Sequence, residues 1–481
     1  MLNFSEQLNE YMKVHAISTV DLAKETGIDR TAIYRYCKGT RMPSNITAVK
    51  KIADALQMSI KERKELLDAY DKLAWGEEKV YSWQYMKELL DSFSSIEKAE
   101  SGFYNHWKVS RELQMDTDIL ELNSKEEIVT CISNLMSYVA EKANTKKVYL
   151  VMQPVYDEIQ RYILPIFRDG KIGIEQVICM EQDRDKSYEN LKIFQEIIPL
   201  CFGMNNYEAF YYYDSLASHF NAMSGMTNLI LLQDYVIQFD YQMQRGIVSK
   251  NPIFYNVMYQ QYERMRQQSQ KLMTRVSDIA EVSQRIDMLG YSGSTFFCQL
   301  CMGFCISEKM YEEHIYPMPG KAEFIEGMIK SHGDWQGETY LEGNFPVEQI
   351  ISYGTKEGME EFMKTGRIQE FPAGMYEPFS VEERKMILER LIQLAKIGKL
   401  SFRLLPEEMQ LSISMQIYWS DSLYGICLNY IKTDGIQQIV IKEQSIYRTC
   451  GNCMEYLEQR ELILGAEETL KWLTELKERC V

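Results

Sequence analysis

The feature that most constrains this chain is a spacing of small, apolar and capping residues within residues 1–73. Ser5–His15 places Leu8, Tyr11 and Met12 on one helical face. Ser18 is a good N-cap for a second helix, in which Leu22 and Ala23 face inward. Ala23 is small enough for another helix to approach closely. Gly27 takes the left-handed conformation that ends a helix at little cost, and Ile28 plugs the gap that follows. Asp29 then caps a third helix, Arg30 to Cys37, with Ile33 and Tyr36 inward and Arg30, Thr31, Tyr34 and Arg35 outward. Gly39 stops it. Met42-Pro43-Ser44 is expected to begin a fourth helix, with Val49, Ile52, Ala53 and Leu56 as its apolar stripe. A fifth, Ile60 to Ala74, carries Leu66, Leu67, Tyr70 and Leu73. The pattern predicts an all-α, five-helix unit with a tight turn between the second and third helices.

Leu22-Ala23, Gly27-Ile28, Ile33, Gly39, Pro43-Ser44, Ile52-Ala53 and Ala55-Leu56 together resemble the Cro/C1 (Xre) helix-turn-helix family. The resemblance implies a DNA-binding domain whose third helix enters the major groove, N-terminal end first. Arg30, Thr31 and Arg35 would then read base edges. Arginine suits guanine because its fork matches two acceptors. Ser18, Thr19, Tyr34, Lys38, Thr40 and Arg41 would contact the phosphate backbone, which positions without reading sequence. Many members carry Gln where this chain has Thr19, so the bracing network there must differ. Family members usually act as two-fold dimers on palindromic sites, which implies a homodimer on a palindromic double-stranded operator.

Charge divides the chain in the same place. The net charge of −16 splits into +2 over residues 1–73 and −18 over the remainder. Phosphate repels an acidic body, so docking falls to the N-terminal module. No apolar run approaches the length of a membrane span, and the N-terminus has no signal-like apolar core. A cytoplasmic protein with no membrane partner is expected. The 11 cysteines, mostly in apolar surroundings, suit reduced thiols better than a disulfide framework.

Beyond a charged helical linker over 74–104, residues 105–481 mix helix and strand signals, so the fold class is an all-α module followed by a large mixed α/β, helix-rich body. Strands are expected at Lys147–Met152 and Gly173–Met180, a hairpin at 228–240, and a long helix from Ile253 to Arg275. Later come a helix from Ser380 to Ala395, strands near 401–405, 412–418, 423–429 and 437–442, and a last helix from Ala466 to Arg479. Helix–strand–hairpin–helix units thus recur near 145–275 and 380–481, without a residue-level repeat. Two lobes, about 105–280 and 281–481, are expected. The helical-pair repeat of tetratricopeptide sensors is not evident, which weakens a peptide-pheromone-receptor reading.

The body offers little chemistry. No phosphate loop, dinucleotide fingerprint or nucleophile elbow is present. His106-Trp107-Lys108 has the HxK spacing of phospholipase D enzymes, but Leu113 stands where an Asp should follow, and there is no second copy. Cys298, Cys301, Cys450 and Cys453 form two CxxC pairs that could hold zinc or an iron–sulfur cluster. The apolar run Phe296–Ile306 favours core packing for the first pair, so no metal or other cofactor is expected. The aromatic run Tyr207–Tyr213 could line a pocket or fill a core, and core is favoured. The composite expectation is a sequence-specific transcriptional regulator, not an enzyme, whose body dimerises and senses a small-molecule or peptide effector. The alternatives are a DNA-associated interaction scaffold and an enzyme with an appended DNA module.

Overall fold

A computed structural model describes residues 3–100, 115, 117–142, 146–167, 170–219, 225–277, 292–296, 298–333, 335, 349–398, 400–407, 409, 411–420, 425–432 and 435–479. The HxK stretch at 106–108 and position 423 lie outside them. The chain divides into two compact units, one of Met1–Met86 with Gly451–Arg460, the other of Lys87–Cys450 with Glu461–Val481.

The first unit is helical. It contains α1 (Phe4–Val14), α2 (Thr19–Thr26), α3 (Arg30–Cys37), α4 (Ile46–Ala55), α5 (Ile60–Trp75) and the start of α6 (Glu77–Glu100). Leu8, Leu22, Ile33, Val49, Ile52, Leu56 and Leu66 are fully buried together and form its core. Truncating any one of these Leu or Ile side chains to Ala should cost about 2–5 kcal/mol by the usual cavity penalty. Asn3 and Ser59 close α1 and α5 with capping boxes, since each is followed three residues later by a Glu that reaches back to the cap N–H. α4 starts later than the sequence implied. Asn45 caps it, accepting from Ala48 N–H at 3.0 Å, and Pro43 is buried in the turn before it.

The second unit holds two mixed sheets. The first runs β1 (Ile119–Leu122), β7 (Gly246–Ser249), β6 (Tyr235–Phe239), β5 (Asn228–Leu232), β2 (Lys147–Val151), β3 (Gly173–Glu181), β4 (Tyr207–Asp214) and β8 (Gln270–Lys271). The second runs β12 (Leu400–Leu404), β11 (Gln349–Gly354), β10 (Ser292–Phe296), β13 (Met415–Ser420), β14 (Gly425–Ile431), β15 (Ile436–Ile441) and β9 (Met273–Val276). In each, three parallel strands with helical crossovers are followed by three antiparallel strands laid on the other side of the first. A helix follows each set, Pro252–Gln268 after β7 and Gln444–Gln459 after β15.

The body is therefore duplicated in topology. The second copy begins at β10, not near residue 380. Its first strand, Ser-Gly-Ser-Thr-Phe, lacks the apolar run that announces β2, and among the described residues the helices Glu308–His314 and Lys321–His332 intervene before β11. The helix expected to reach Arg275 ends at Gln268. The chain turns at Ser269 into β8 and β9, which border the first and second sheets respectively. The aromatic run Tyr207–Tyr213 is β4, its inward side chains fully buried. Central strands β5 and β14 are buried throughout, as strands covered on both faces must be. No described helix is long and apolar enough to cross a membrane.

Candidate nucleic-acid interface

The turn between α2 and α3 is built from local hydrogen bonds. The Ser18 hydroxyl accepts from Asp21 N–H at 3.2 Å and donates to the Asp21 carboxylate at 2.5 Å, so it is engaged in starting α2. α2 stops at Gly27, whose φ of 70° is the left-handed region that a Cβ would strain. Thr26 ties the corner, donating to Leu22 C=O at 2.6 Å and accepting from Ile28 N–H at 3.2 Å. Asp29 then accepts from Thr31 N–H at 2.9 Å and Ala32 N–H at 3.1 Å. The Ala32 bond, with the Thr31 contact next, holds the Asp29 carboxyl below its ordinary range. A negative charge at this end also complements the helix dipole.

Burial of Ile33 and Tyr36 fixes which way α3 faces. Arg30, Thr31, Tyr34, Arg35 and Lys38 are all exposed, within an arc of about 140° at ~100° per residue. Tyr34 is 55% exposed, and the Lys38 ammonium lies 5.9 Å from its ring centroid. Thr40 and Arg41 are exposed just past the helix, where the Thr40 hydroxyl lies 3.4 Å from Arg35 C=O. Thr19 is half-buried. Among the described residues, the Arg30, Arg35 and Arg41 guanidiniums form no ion pair and donate no hydrogen bond. Arg63, by contrast, is paired with Asp54. Arginines that are not tied up in ion pairs or hydrogen bonds stay available to an external anion.

Two further sets of contacts, which no local sequence pattern marks, tie this unit together. Asn9 donates to Ser5 C=O and to Cys37 C=O, each at 2.7 Å, which ties α1 to the end of α3. Asp71 on α5 is buried and receives Arg460 at 2.6 and 3.1 Å and the Tyr456 hydroxyl at 3.1 Å. An Asn on the edge of an amphipathic helix is a faint sequence signal. A partner hundreds of residues away is none.

The cysteine pairs come apart. Cys301 lies in the core of the second sheet's lobe, and Cys298 is half-buried with its thiol 3.7 Å from the Thr355 hydroxyl. Cys450 and Cys453 are buried in the helix Gln444–Gln459. Burial pushes the Cys450 thiol up to about 12 and the Cys301 thiol well above its ordinary range. Among the described residues no group of three or more Cys, His, Asp or Glu could hold a metal.

Residues 7–67 match the sequence model of the Cro/C1-type helix-turn-helix DNA-binding domain. No curated protein matches the chain. Among solved structures the chain is similar to TrmBL2, an archaeal chromatin protein with a novel mode of DNA binding, at 9% identity over 56% of this chain and 95% of that one, with a TM-score of 0.23. It is also similar to a phosphatidylserine synthase of Haemophilus influenzae Rd KW20 at 12% identity over 80% and 97%, with a TM-score of 0.21. A polyphosphate kinase of Porphyromonas gingivalis is similar at 8% identity over 73% and 48%, with a TM-score of 0.19. At such TM-scores these likenesses carry nothing over to this chain. Residues 7–67 are a Cro/C1-type helix-turn-helix DNA-binding domain, carried ahead of a two-sheet α/β body.

Proposed function

We propose that this chain is a cytoplasmic, sequence-specific transcriptional regulator and not an enzyme. Arg30, Thr31 and Arg35 read bases, while Tyr34, Lys38, Thr40 and Arg41 with the Ser18–Thr19 turn hold the phosphate backbone. The observation that carries the reading is the exposed face of α3, whose arginines form no ion pair or side-chain hydrogen bond among the described residues, within a DNA-binding domain of known type. A single module buries too little DNA surface for high specificity, so the working form is a homodimer on a palindromic site. The duplicated body is far larger than a dimerisation device needs. Its second role is to sense a small molecule and couple that binding to DNA affinity, through differential binding to two arrangements of the dimer.

Selection of bound sequences from a random duplex pool, followed by titration, tests this. Arg30→Ala and Arg35→Ala should each lose ~1–3 kcal/mol on the selected site and relax preference at one position. Unchanged affinity in both would remove α3 from base reading. Selection of no sequence at all would overturn the regulatory reading.

A further inference from the structure

The body contains a cavity of about 300 Å³ at the end of β2. This is the point where the first sheet changes direction. β2 is parallel to β3 on one side and antiparallel to β5 on the other. Crevices at the carboxyl ends of parallel strands, at such switch points, are where open α/β sheets bind ligands. Here β2 ends in Val151, followed by Met152 and Gln153. β3 contributes Cys179 and β4 contributes Tyr212. The opening residues of β5 and Gln238 of β6 close the other side, and Gln261 of the helix Pro252–Gln268 lies over it.

The lining is specific in its chemistry. None of the fifteen described lining residues is charged or an imidazole. The polar groups are side-chain amides and hydroxyls, which both donate and accept. One set is fixed by the fold. Asn228 donates to the Tyr156 hydroxyl at 2.9 Å, and that hydroxyl donates to Tyr241 C=O at 3.2 Å. The Gln153 amide, in its satisfied orientation, pairs with both N–H and C=O of Cys179. Burial pushes the Cys179 thiol up to about 12, so it stays protonated and unreactive. Another set is free. The side chains of Thr227, Gln238 and Gln261 have no hydrogen-bond partner among the described residues.

The second sheet shows what happens when such a corner is filled by the protein. There Gln369 donates to Met415 C=O at 2.7 Å and to Ser412 C=O at 3.2 Å, and its carbonyl oxygens accept from Gln299 N–H at 3.1 Å and from the Gln416 amide at 2.5 Å. Asn429 of β14 bonds Gln416 in turn at 3.2 Å. Gln369, Gln299, Gln416 and Asn429 bond one another or nearby backbone, whereas Gln238 and Gln261 at the β2 corner have no hydrogen-bond partner among the described residues.

We propose that the β2 cavity is a ligand site for an uncharged small molecule rich in hydroxyl or amide groups, of monosaccharide to nucleoside size. A charged ligand would lose its hydration with no counter-charge to meet it. The volume is at the small end of the ~300–1,000 Å³ typical of small-molecule sites. The tyrosine rings offer apolar faces for a sugar or a base. The site's role as the effector site rests on the regulatory reading above; its existence does not.

The full chain should be melted with neutral monosaccharides and nucleosides, each paired with a charged derivative: a sugar phosphate, a uronic acid or a nucleotide. At least one neutral compound should raise the melting temperature saturably, and its charged derivative should not. Gln238→Leu and Gln238→Glu should weaken that compound at least tenfold. The unliganded melting temperature of Gln238→Leu should not change, because the side chain it replaces has no hydrogen-bond partner among the described residues. The proposal falls if no neutral compound in the panel shifts the wild type, if the charged derivatives bind equally well, or if both variants bind as the wild type does. DNA titration of the same proteins separates the two readings. Gln238→Leu should retain DNA affinity without ligand, while Arg30→Ala loses it and keeps the ligand shift. Ligand binding without any sequence-specific DNA binding would sink the regulator and leave the cavity site standing.

Discussion

Asp29 orders the first turn of α3, from which Arg30 and Thr31 project. Its carboxylate takes the Thr31 and Ala32 N–H groups, and those bonds hold its proton affinity below that of a free aspartate. The folded pKa is thus lower than the unfolded one. The stabilisation is present above the unfolded pKa and is lost as pH falls through the folded one. Asp29→Ala should therefore lower the melting temperature at neutral pH, and the deficit should close in strong acid. Asp29→Asn keeps an acceptor at the cap and should retain most of the stability. Thermal unfolding across that range checks this; an equal deficit of Asp29→Ala at both ends would show that the carboxylate charge contributes nothing. Ser18, Gly27 and Asp29 were legible in the sequence because capping is local. Each acts on residues two to four positions away, and the side-chain type names the act. Asn45 is harder to read for a related reason. The preceding Pro43-Ser44 is itself a plausible helix start, and only burial of Pro43 in the turn decides between the two.

At the scale of elements, the α5 contact with residues 451–460 is governed by charge. Asp71 and Arg460 have side chains only 7% and 18% exposed. Burial holds the Asp71 carboxyl above its usual range even with Arg460 and Tyr456 bonded to it. Desolvation has therefore outweighed attraction, as it often does for buried ion pairs. Removing one partner is worse than removing both. Arg460→Met alone should cost about 3–5 kcal/mol by stranding the carboxylate, whereas Asp71→Leu with Arg460→Met should cost far less. A double-mutant cycle by urea unfolding measures this, and additive losses would show that the two groups act independently. No sequence pattern pointed to the pair, since the partners lie almost the whole chain apart. Strand pairing failed to show itself for a different reason. β2 and β3 are apolar runs and announce themselves. β10 is Ser-Gly-Ser-Thr-Phe, and takes its place from its neighbours β11 and β13 and not from its own composition. The Gln-rich end of the helix Pro252–Gln268 continues smoothly into β8 in hydropathy. Only the sheet edge at β4 makes the chain turn there.

At the scale of the whole molecule, the charge distribution limits how the chain can hold DNA. The module carries only +2, and the rest of the chain carries −18. Of the residues assigned to phosphate, only Lys38 and Arg41 are cations, so one module neutralises about two phosphates. Counterion release then gives a slope of log affinity against log salt of about −1.8 for one module, and about −3.6 for two modules on a palindrome. The slope on the selected site therefore counts modules. Titrations of the full chain over a range of salt should return the steeper value. On a half-site the slope should fall to the shallower one, with affinity reduced to match. Lys38→Ala should flatten the palindrome slope by about 1.8, because each copy loses one phosphate contact. Arg30→Ala should lower affinity while leaving the slope nearly intact, since a base-reading arginine releases few phosphate counterions. A wild-type slope near −1.8 on a full palindrome would mean that a single module suffices. The homodimer would then have to be abandoned, even with the base-reading face intact.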